Sequence, residues 1–206
     1  AERKELAKVY DPREVEKRIL SRADADFFWK RATHNWASVC GGNVGMTAMY
    51  TVTDNARLAH ILSVSLSAME SYLSGIHDDG ACLEGLAYWG YGFGYFVAFA
   101  DMLRRRTAGK IDLFADEKVH QTALFYQKCF FPNKATVTFS DAAEGTSFSF
   151  GMTAFLHGIY PDCILPKPEY IRHTYQKSGC FRFAFGIRQM VWAKDNFDEN
   201  TGEPAG

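Results

Sequence analysis

Apolar positions recur at helical spacing along most of this chain. The clearest stretch covers residues 57–74, where a 3.6-residue period joins Leu58, Ile61, Leu62, Leu66, Met69, Tyr72 and Leu73. Asp54 or Asn55 can cap the start of this stretch, and Gly75 can end it. The pattern therefore predicts a long amphipathic helix with one buried face.

The same patterning predicts eight further helices and one short strand. The helices are expected at about 12–20, 24–32, 43–52, 86–105, 116–129, 148–159, 168–177 and 180–194, and the strand at 136–139. Short loops between helices favour antiparallel helical hairpins, which a bundle, a solenoid and an α/α toroid have in common. The predicted fold class is all-α.

Composition narrows the possible partners. The chain has 206 residues, of which 47% are hydrophobic, so it is globular. Its net charge of −1 gives no reason to expect nucleic acid or an anionic membrane. Its five cysteines include no CxxC pair, which argues against a structural zinc site. We predict no metal, no cofactor and no membrane span, and we expect the basic run at 104–106 to end a helix.

The segment 84–95 is unusually rich in aromatic residues and glycine. It holds one tryptophan, four glycines and three tyrosines, which would share one face of an α-helix: Tyr88, Tyr91 and Tyr95. Gly90 and Gly94 would let another backbone or a substrate approach closely. Spacing alone favours a tightly packed buried helix. The alternative is a surface for a sugar chain, or a tyrosine that acts as acid and base.

A second informative stretch, residues 34–46, precedes the aromatic segment. It contains His34-Asn35-Trp36 and Cys40-Gly41-Gly42, and it precedes Asp79-Gly80 and Glu84-Gly85. Together with the aromatic segment, this ordered set resembles the heparinase II/III-like polysaccharide lyases, which include heparin/heparan lyases and oligoalginate lyases. The match covers roughly residues 29–142.

The resemblance implies an incomplete (α/α) toroid followed by antiparallel β-sheet domains. Residues 1–195 would form the partial toroid, and 196–206 a frayed tail or linker toward a missing β-sheet domain of the same parent protein. It also implies a periplasmic or secreted protein whose partner is an acidic polysaccharide. We expect the isolated helical part to be inactive without the β-sheet domain.

The family cleaves uronic-acid glycans by β-elimination, which needs a neutraliser for the uronate carboxylate, a base and an acid. By resemblance, Asn35 is the neutraliser, although Trp36 stands where relatives often have His. The catalytic tyrosine of the family lies about fifty-five residues further on. Tyr91 follows Asn35 by 56 positions and is the preferred base, with Tyr88, at 53, as the fallback.

Further side chains are candidates for binding substrate: His34, Trp36, Glu84, Trp89 and Tyr95. The tryptophans are more often core residues, and Glu84 is more simply explained as a partner of a helix dipole. Asp78 and Asp79 fit a turn before Gly80.

Two other classes of function stay open. A non-catalytic carbohydrate-binding relative is favoured by Trp36, and a glycoside hydrolase on a similar toroid would need paired carboxylates from Glu84, Asp78 and Asp79. The glycines of residues 41–45 are reminiscent of a phosphate loop. No Gly-Lys-Ser/Thr follows them, however, so close helix packing explains them better.

Overall fold

The computed structural model describes residues 11–131, 135–142, 148–165, 171–172 and 183–193, and most of these residues are helical. The α-helices are α1 (Pro12–Asp24), α2 (Asn35–Thr51), α3 (Asn55–Ser74), α4 (Leu86–Tyr88), α5 (Gly94–Arg106), α6 (Glu117–Leu124), α7 (Phe150–Ile159) and α8 (Phe183–Ala193). A π-helical segment, Trp89–Phe93, joins α4 to α5. Three 3₁₀ turns cover Phe28–Arg31, Leu113–Ala115 and Tyr126–Cys129. The all-α prediction is confirmed.

In the described part of the chain, the only β-sheet consists of two strands of two residues each. β1 (Phe148–Ser149) and β2 (Ile171–Arg172) run parallel, with Phe148 opposite Ile171. They are too short to form a layer of their own. The helices therefore carry the architecture.

Helix α2 packs against α3 in antiparallel fashion. A Cβ added at Gly41 would lie 2.8 Å from Ala68 Cβ, and one added at Gly45 would lie 2.8 Å from Ser65 Oγ. Advancing along α2 therefore means moving backward along α3. The link between them spans only residues 52–54, and so short a connection also makes neighbouring helices antiparallel.

On its other side, α2 runs parallel to α5. A Cβ added at Gly42 would lie 3.3 Å from the Tyr95 carbonyl oxygen, and one at Gly45 would lie 2.4 Å from Phe99 Cε2. The glycines of α2 thus let two helices approach its backbone at once. This confirms close helix packing as their role.

The core lies where α2, α3 and α5 meet α6 and α7. Its fully buried side chains include Ile61, Phe93, Phe96, Phe99, Leu103, Val119 and Leu156. Helix α8 joins this core through Trp192, whose Nε1 donates to Asp101 Oδ2 at 2.9 Å. Asp101 is buried and also accepts from Arg105 Nε at 2.7 Å, so its charge is paired.

Two helices begin at the capping residues that the sequence indicates. Asp11 caps α1 by accepting from Arg13 N, and Asp54 caps α3 by accepting from Arg57 N at 2.8 Å. The helices predicted at 57–74 and 86–105 are confirmed, the second with its π-helical insert. The basic run at 104–106 forms the exposed last turn of α5, as predicted.

Other boundaries were wrong. No second helix covers 24–32, because α1 continues to Asp24 and only a 3₁₀ turn follows it. The helix predicted at 43–52 begins eight residues earlier, at Asn35. The strand predicted at 136–139 is reduced to a single bridge between Thr136 and Phe130, beside which Val137 N donates to the Cys129 carbonyl oxygen at 2.9 Å.

The C-terminal predictions can be compared only in part. Residues 171–172 belong to β2 and not to the helix predicted at 168–177; the rest of that range lies outside the described residues. The helix predicted at 180–194 is confirmed over Phe183–Ala193. The tail at 196–206 lies outside the described residues. In the described part of the chain, no helix combines the length and apolar character needed to span a bilayer.

Candidate functional site

The N-terminus of α2 is held by a carboxylate from a distant loop. Asn35, the first residue of α2, donates its backbone N–H to Glu84 Oε2 and its side-chain Nδ2 to Glu84 Oε1, each at 2.7 Å. Asn35 is only 5% exposed. The backbone bond satisfies one of the donors that a helix start leaves unpaired, and the negative charge favours the positive end of the helix dipole. Glu84 is thus a helix-dipole partner, but of α2 and not of its own aromatic helix.

Tight turns aim Glu84 at this position. Gly85 has φ +88°, a conformation that suits glycine, and a Cβ there would lie 2.7 Å from the Phe139 carbonyl oxygen. Upstream, Asp79 Oδ1 accepts from Ala81 N at 3.0 Å, which confirms the turn predicted before Gly80. This hydrogen bond, followed by the contact with His77, lowers the pKa of the Asp79 carboxyl below its usual range.

The π-helical segment touches the same end of α2. Ser38 Oγ donates to the Gly92 carbonyl oxygen at 2.6 Å in the protein interior. A Cβ added at Gly92 would lie 3.0 Å from Asn35 Cβ. Tyr91 therefore belongs to a segment in direct contact with Asn35. Insertions of π-helix into α-helices are rare and are frequently found at functional sites.

The insert also changes which residues approach a neighbour. A Cβ at Gly90 would meet no described atom within 4 Å, so the expected approach of another backbone is not seen there, and that of a substrate stays a prediction. Gly92 is the glycine of this segment that packs closely. Because a π-turn is wider than an α-turn, the predicted common face of the three tyrosines is altered at its start. Tyr91 and Tyr95 keep an edge-to-face contact at 5.5 Å, and both, like Tyr88, are half-buried.

Tyr72 of α3 packs against Gly92 of this segment, where an added Cβ would lie 3.3 Å from Tyr72 Cε2, and it was missed as a polar group. Its hydroxyl is buried and has no hydrogen-bond partner among the described residues. Burial raises the pKa of its phenol well above the usual range, with Cys82 and Glu84 adding to the effect. Burial thus disfavours the phenolate that a base at this position would need. The apolar period of α3 counted it only as a core position.

The two tryptophans predicted to bind sugar differ completely in their surroundings. Trp89 is 2% exposed, its Nε1 donates to the Thr122 carbonyl oxygen at 2.7 Å, and its ring packs on Tyr126 at 5.3 Å. A ring in this position does not reach a sugar, so the stacking role expected of Trp89 is wrong and its interpretation as a core residue is correct. Trp36 is 52% exposed and lies 5.4 Å from the ring of Phe28, itself 59% exposed.

The remaining candidates do not gather around Asn35 as substrate ligands. His34 is the half-buried cap residue of α2, and its side chain makes no capping hydrogen bond. Asp78 is exposed and pairs with Lys118 at 3.4 Å. Glu84 accepts from Asn35 N and Nδ2, so the partner that the structure shows for it is Asn35. The hydrolase alternative stays a prediction. Within the described ranges, no three His, Cys, Asp or Glu side chains are grouped so that they could hold a metal.

Comparison with known proteins adds no relative. No family model matches the chain, and no curated protein matches it either.

Proposed function

We propose that this chain is the helical catalytic part of a polysaccharide lyase that cleaves uronic-acid-containing glycans by β-elimination. The observation that carries the proposal is the contact between Asn35 and the segment that holds Tyr91. Gly92 comes so close that its added Cβ would lie 3.0 Å from Asn35 Cβ. A candidate neutraliser and a candidate base thus lie on touching elements, although 56 positions separate them in sequence.

In the proposed reaction, Tyr91 as phenolate removes the proton from C5 of the uronate. The electron pair forms the C4=C5 double bond, the C4–O bond breaks, and the leaving oxygen takes the proton back from the Tyr91 hydroxyl. An N–H of the Asn35 amide donates to the uronate carboxylate and stabilises the enolate-like charge. Because the Asn35 amide is uncharged, its burial does not require a counter-charge.

A free tyrosine has a pKa of about 10, so the base role requires a nearby cation or strong hydrogen bonds. The resemblance to the heparinase II/III-like family supplies them as His or Arg side chains of a β-sheet domain. The proposal therefore includes an incomplete (α/α) toroid followed by such a domain, in a periplasmic or secreted protein. The antiparallel α2–α3 pair and the parallel α2–α5 pair are compatible with such a toroid.

A second candidate is a carbohydrate-binding protein without catalysis. It is favoured by Phe28 and Trp36, an exposed aromatic pair beside the start of α2. Exposed aromatic rings offer flat apolar faces to a sugar. This candidate predicts saturable binding of a glycan that is left uncut.

One experiment separates these functions. The natural protein that carries these residues is incubated with heparan sulfate, hyaluronan, alginate and chondroitin, and the products are followed by ultraviolet absorbance and by mass. A lyase gives unsaturated products whose masses sum to that of the substrate. A hydrolase adds the mass of water and gives no new absorbance. A shift in melting temperature without products supports the binding protein, and neither products nor a shift contradicts both candidates.

A further inference from the structure

We infer that Glu84 is a positioning residue, whose carboxylate fixes the orientation of the Asn35 amide for an incoming uronate carboxylate. The inference rests on the function proposed above and assigns Glu84 no contact with substrate. It replaces the expectation that Glu84 binds the glycan directly. The geometry behind it is the pair of 2.7 Å hydrogen bonds from Asn35 N and Nδ2 to the two carboxylate oxygens.

The chemistry of the two groups sets the direction of the amide. An ionised carboxylate only accepts hydrogen bonds, whereas an asparagine amide has one donating and one accepting end. Nδ2 must therefore face Glu84, and Oδ1 must point away from it. One of the two Nδ2 protons is used by Glu84, and the proposed function assigns the second to an anionic oxygen of the substrate.

The hydrogen bond from Asn35 N to Glu84 Oε2 further restricts how the carboxylate and the amide can rotate. Because Asn35 N also donates to Glu84, the carboxylate is fixed with respect to the first turn of α2 as well as to the side chain. The positive end of the helix dipole offsets the negative charge of Glu84. Hydrogen bonds to a charged group are shorter and stronger than neutral ones, which suits a group that must not rotate.

Neither close substitute of Glu84 reproduces this contact. Glutamine offers one acceptor and would turn its NH₂ group toward one of the two Asn35 donors. Aspartate keeps both acceptors but is one methylene shorter. Since Asn35 is buried, the donor left unpaired would also lose its contact with water.

The test combines the variants Glu84→Gln, Asn35→Ala and their double variant, with Glu70→Gln as control. Glu70 is exposed on α3, so its variant makes the same change of charge away from the site. We expect Glu84→Gln to lower kcat by about tenfold to a hundredfold, with a smaller change in KM. In the Asn35→Ala background the same substitution should change kcat by less than about twofold, because the group it positions is gone.

A purely structural role for Glu84 gives a different result. It would lower kcat by the same factor with and without the Asn35 amide, and that outcome overturns the inference. Glu70→Gln should leave kcat and KM unchanged.

Nuclear magnetic resonance of the natural protein tests the positioning without any variant or activity. The Asn35 Nδ2 proton signals should move with the Glu84 carboxyl signal when the pH is lowered, and one of the two protons should exchange slowly with water. Nearby Tyr72 and Cys82 do not interfere, since burial raises the pKa of both, that of Cys82 to about 11. Amide signals indifferent to Glu84 would overturn the inference. If they follow Glu84 but no glycan is cleaved, the proposed function fails, and what stands is only that Glu84 fixes the orientation of the Asn35 amide.

Discussion

The first turn of α2 and its middle contact their neighbours in different ways. At the start of the helix, Asn35 and Ser38 reach their neighbours through hydrogen bonds to Glu84 and to the Gly92 carbonyl oxygen. One turn further on, contact is made by the absence of side chains. There, glycines at 41, 42 and 45 let the backbone of α2 approach α3 and α5.

This difference separates orientation from distance. A hydrogen bond fixes the angle of the groups that it joins, while a glycine only sets how near two backbones come. Angle matters for a donor that must meet a substrate; distance is sufficient for a scaffold. Substitutions in the middle of α2 should therefore reduce stability, and those at its start should also disturb the proposed chemistry.

The largest expected effect on stability is that of Gly45→Ala. Its methyl group would lie 2.4 Å from Phe99 Cε2 and 2.8 Å from Ser65 Oγ, so two helices must shift. We expect a loss of about 3 kcal/mol in the free energy of unfolding, measured by urea denaturation. Gly158→Ala on α7 is the control, because its methyl group meets nothing within 4 Å and should be neutral or stabilising. Equal stability of the two variants would contradict the packing role.

Ser38→Ala tests the polar end of the helix. Without the hydroxyl, the buried Gly92 carbonyl loses its 2.6 Å hydrogen bond, which should cost about 2 kcal/mol of unfolding free energy. Tyr72→Phe is the matched comparison, since it removes a buried hydroxyl that has no partner among the described residues. It should leave stability unchanged or raise it by up to about 1 kcal/mol. A loss from Tyr72→Phe as large as that from Ser38→Ala would show that its hydroxyl is paired.

A smaller difference should separate two glycines of the π-helical segment. Gly92→Ala brings a methyl group to 3.0 Å from Asn35 Cβ and 3.3 Å from Tyr72 Cε2. We expect a loss of about 1 kcal/mol in stability, together with a change in the Asn35 side-chain amide signals. Gly90→Ala, two residues earlier, should do neither, because its methyl group points into open space. If both variants behave alike, Asn35 does not depend on this contact.

Sequence patterns predicted helices and helix packing well where a local signal, such as an apolar period or a cap, determines the structure. The apolar period of residues 57–74 and the cap at Asp54 located α3 almost to the residue. The glycines of α2 were correctly assigned to helix packing. The strand predicted at 136–139 was reduced to one bridge, because strand propensity depends strongly on tertiary context.

The candidate site was harder to predict because long-range contacts define it. Glu84 could be recognised as a dipole partner, but sequence gave no sign that its helix would be α2, 49 residues away. The close backbone approach of the π-helical segment lies at Gly92 and not at Gly90, which spacing alone did not indicate. Trp36 and Trp89 both lie in motifs that resemble those of the heparinase II/III-like lyases. Only the structure shows that the Trp36 ring is exposed and the Trp89 ring is buried in the core.

The most direct test of the central claim is the rate of unsaturated product formation by Tyr91→Phe in the natural protein. Tyr50→Phe, at an exposed position on α2, is the control for the same loss of a hydroxyl. If Tyr91 is the base, Tyr91→Phe should abolish the rise in ultraviolet absorbance while Tyr50→Phe retains it and both variants stay folded. Full activity in Tyr91→Phe would contradict the assignment, and loss in Tyr88→Phe alone would transfer the role to Tyr88.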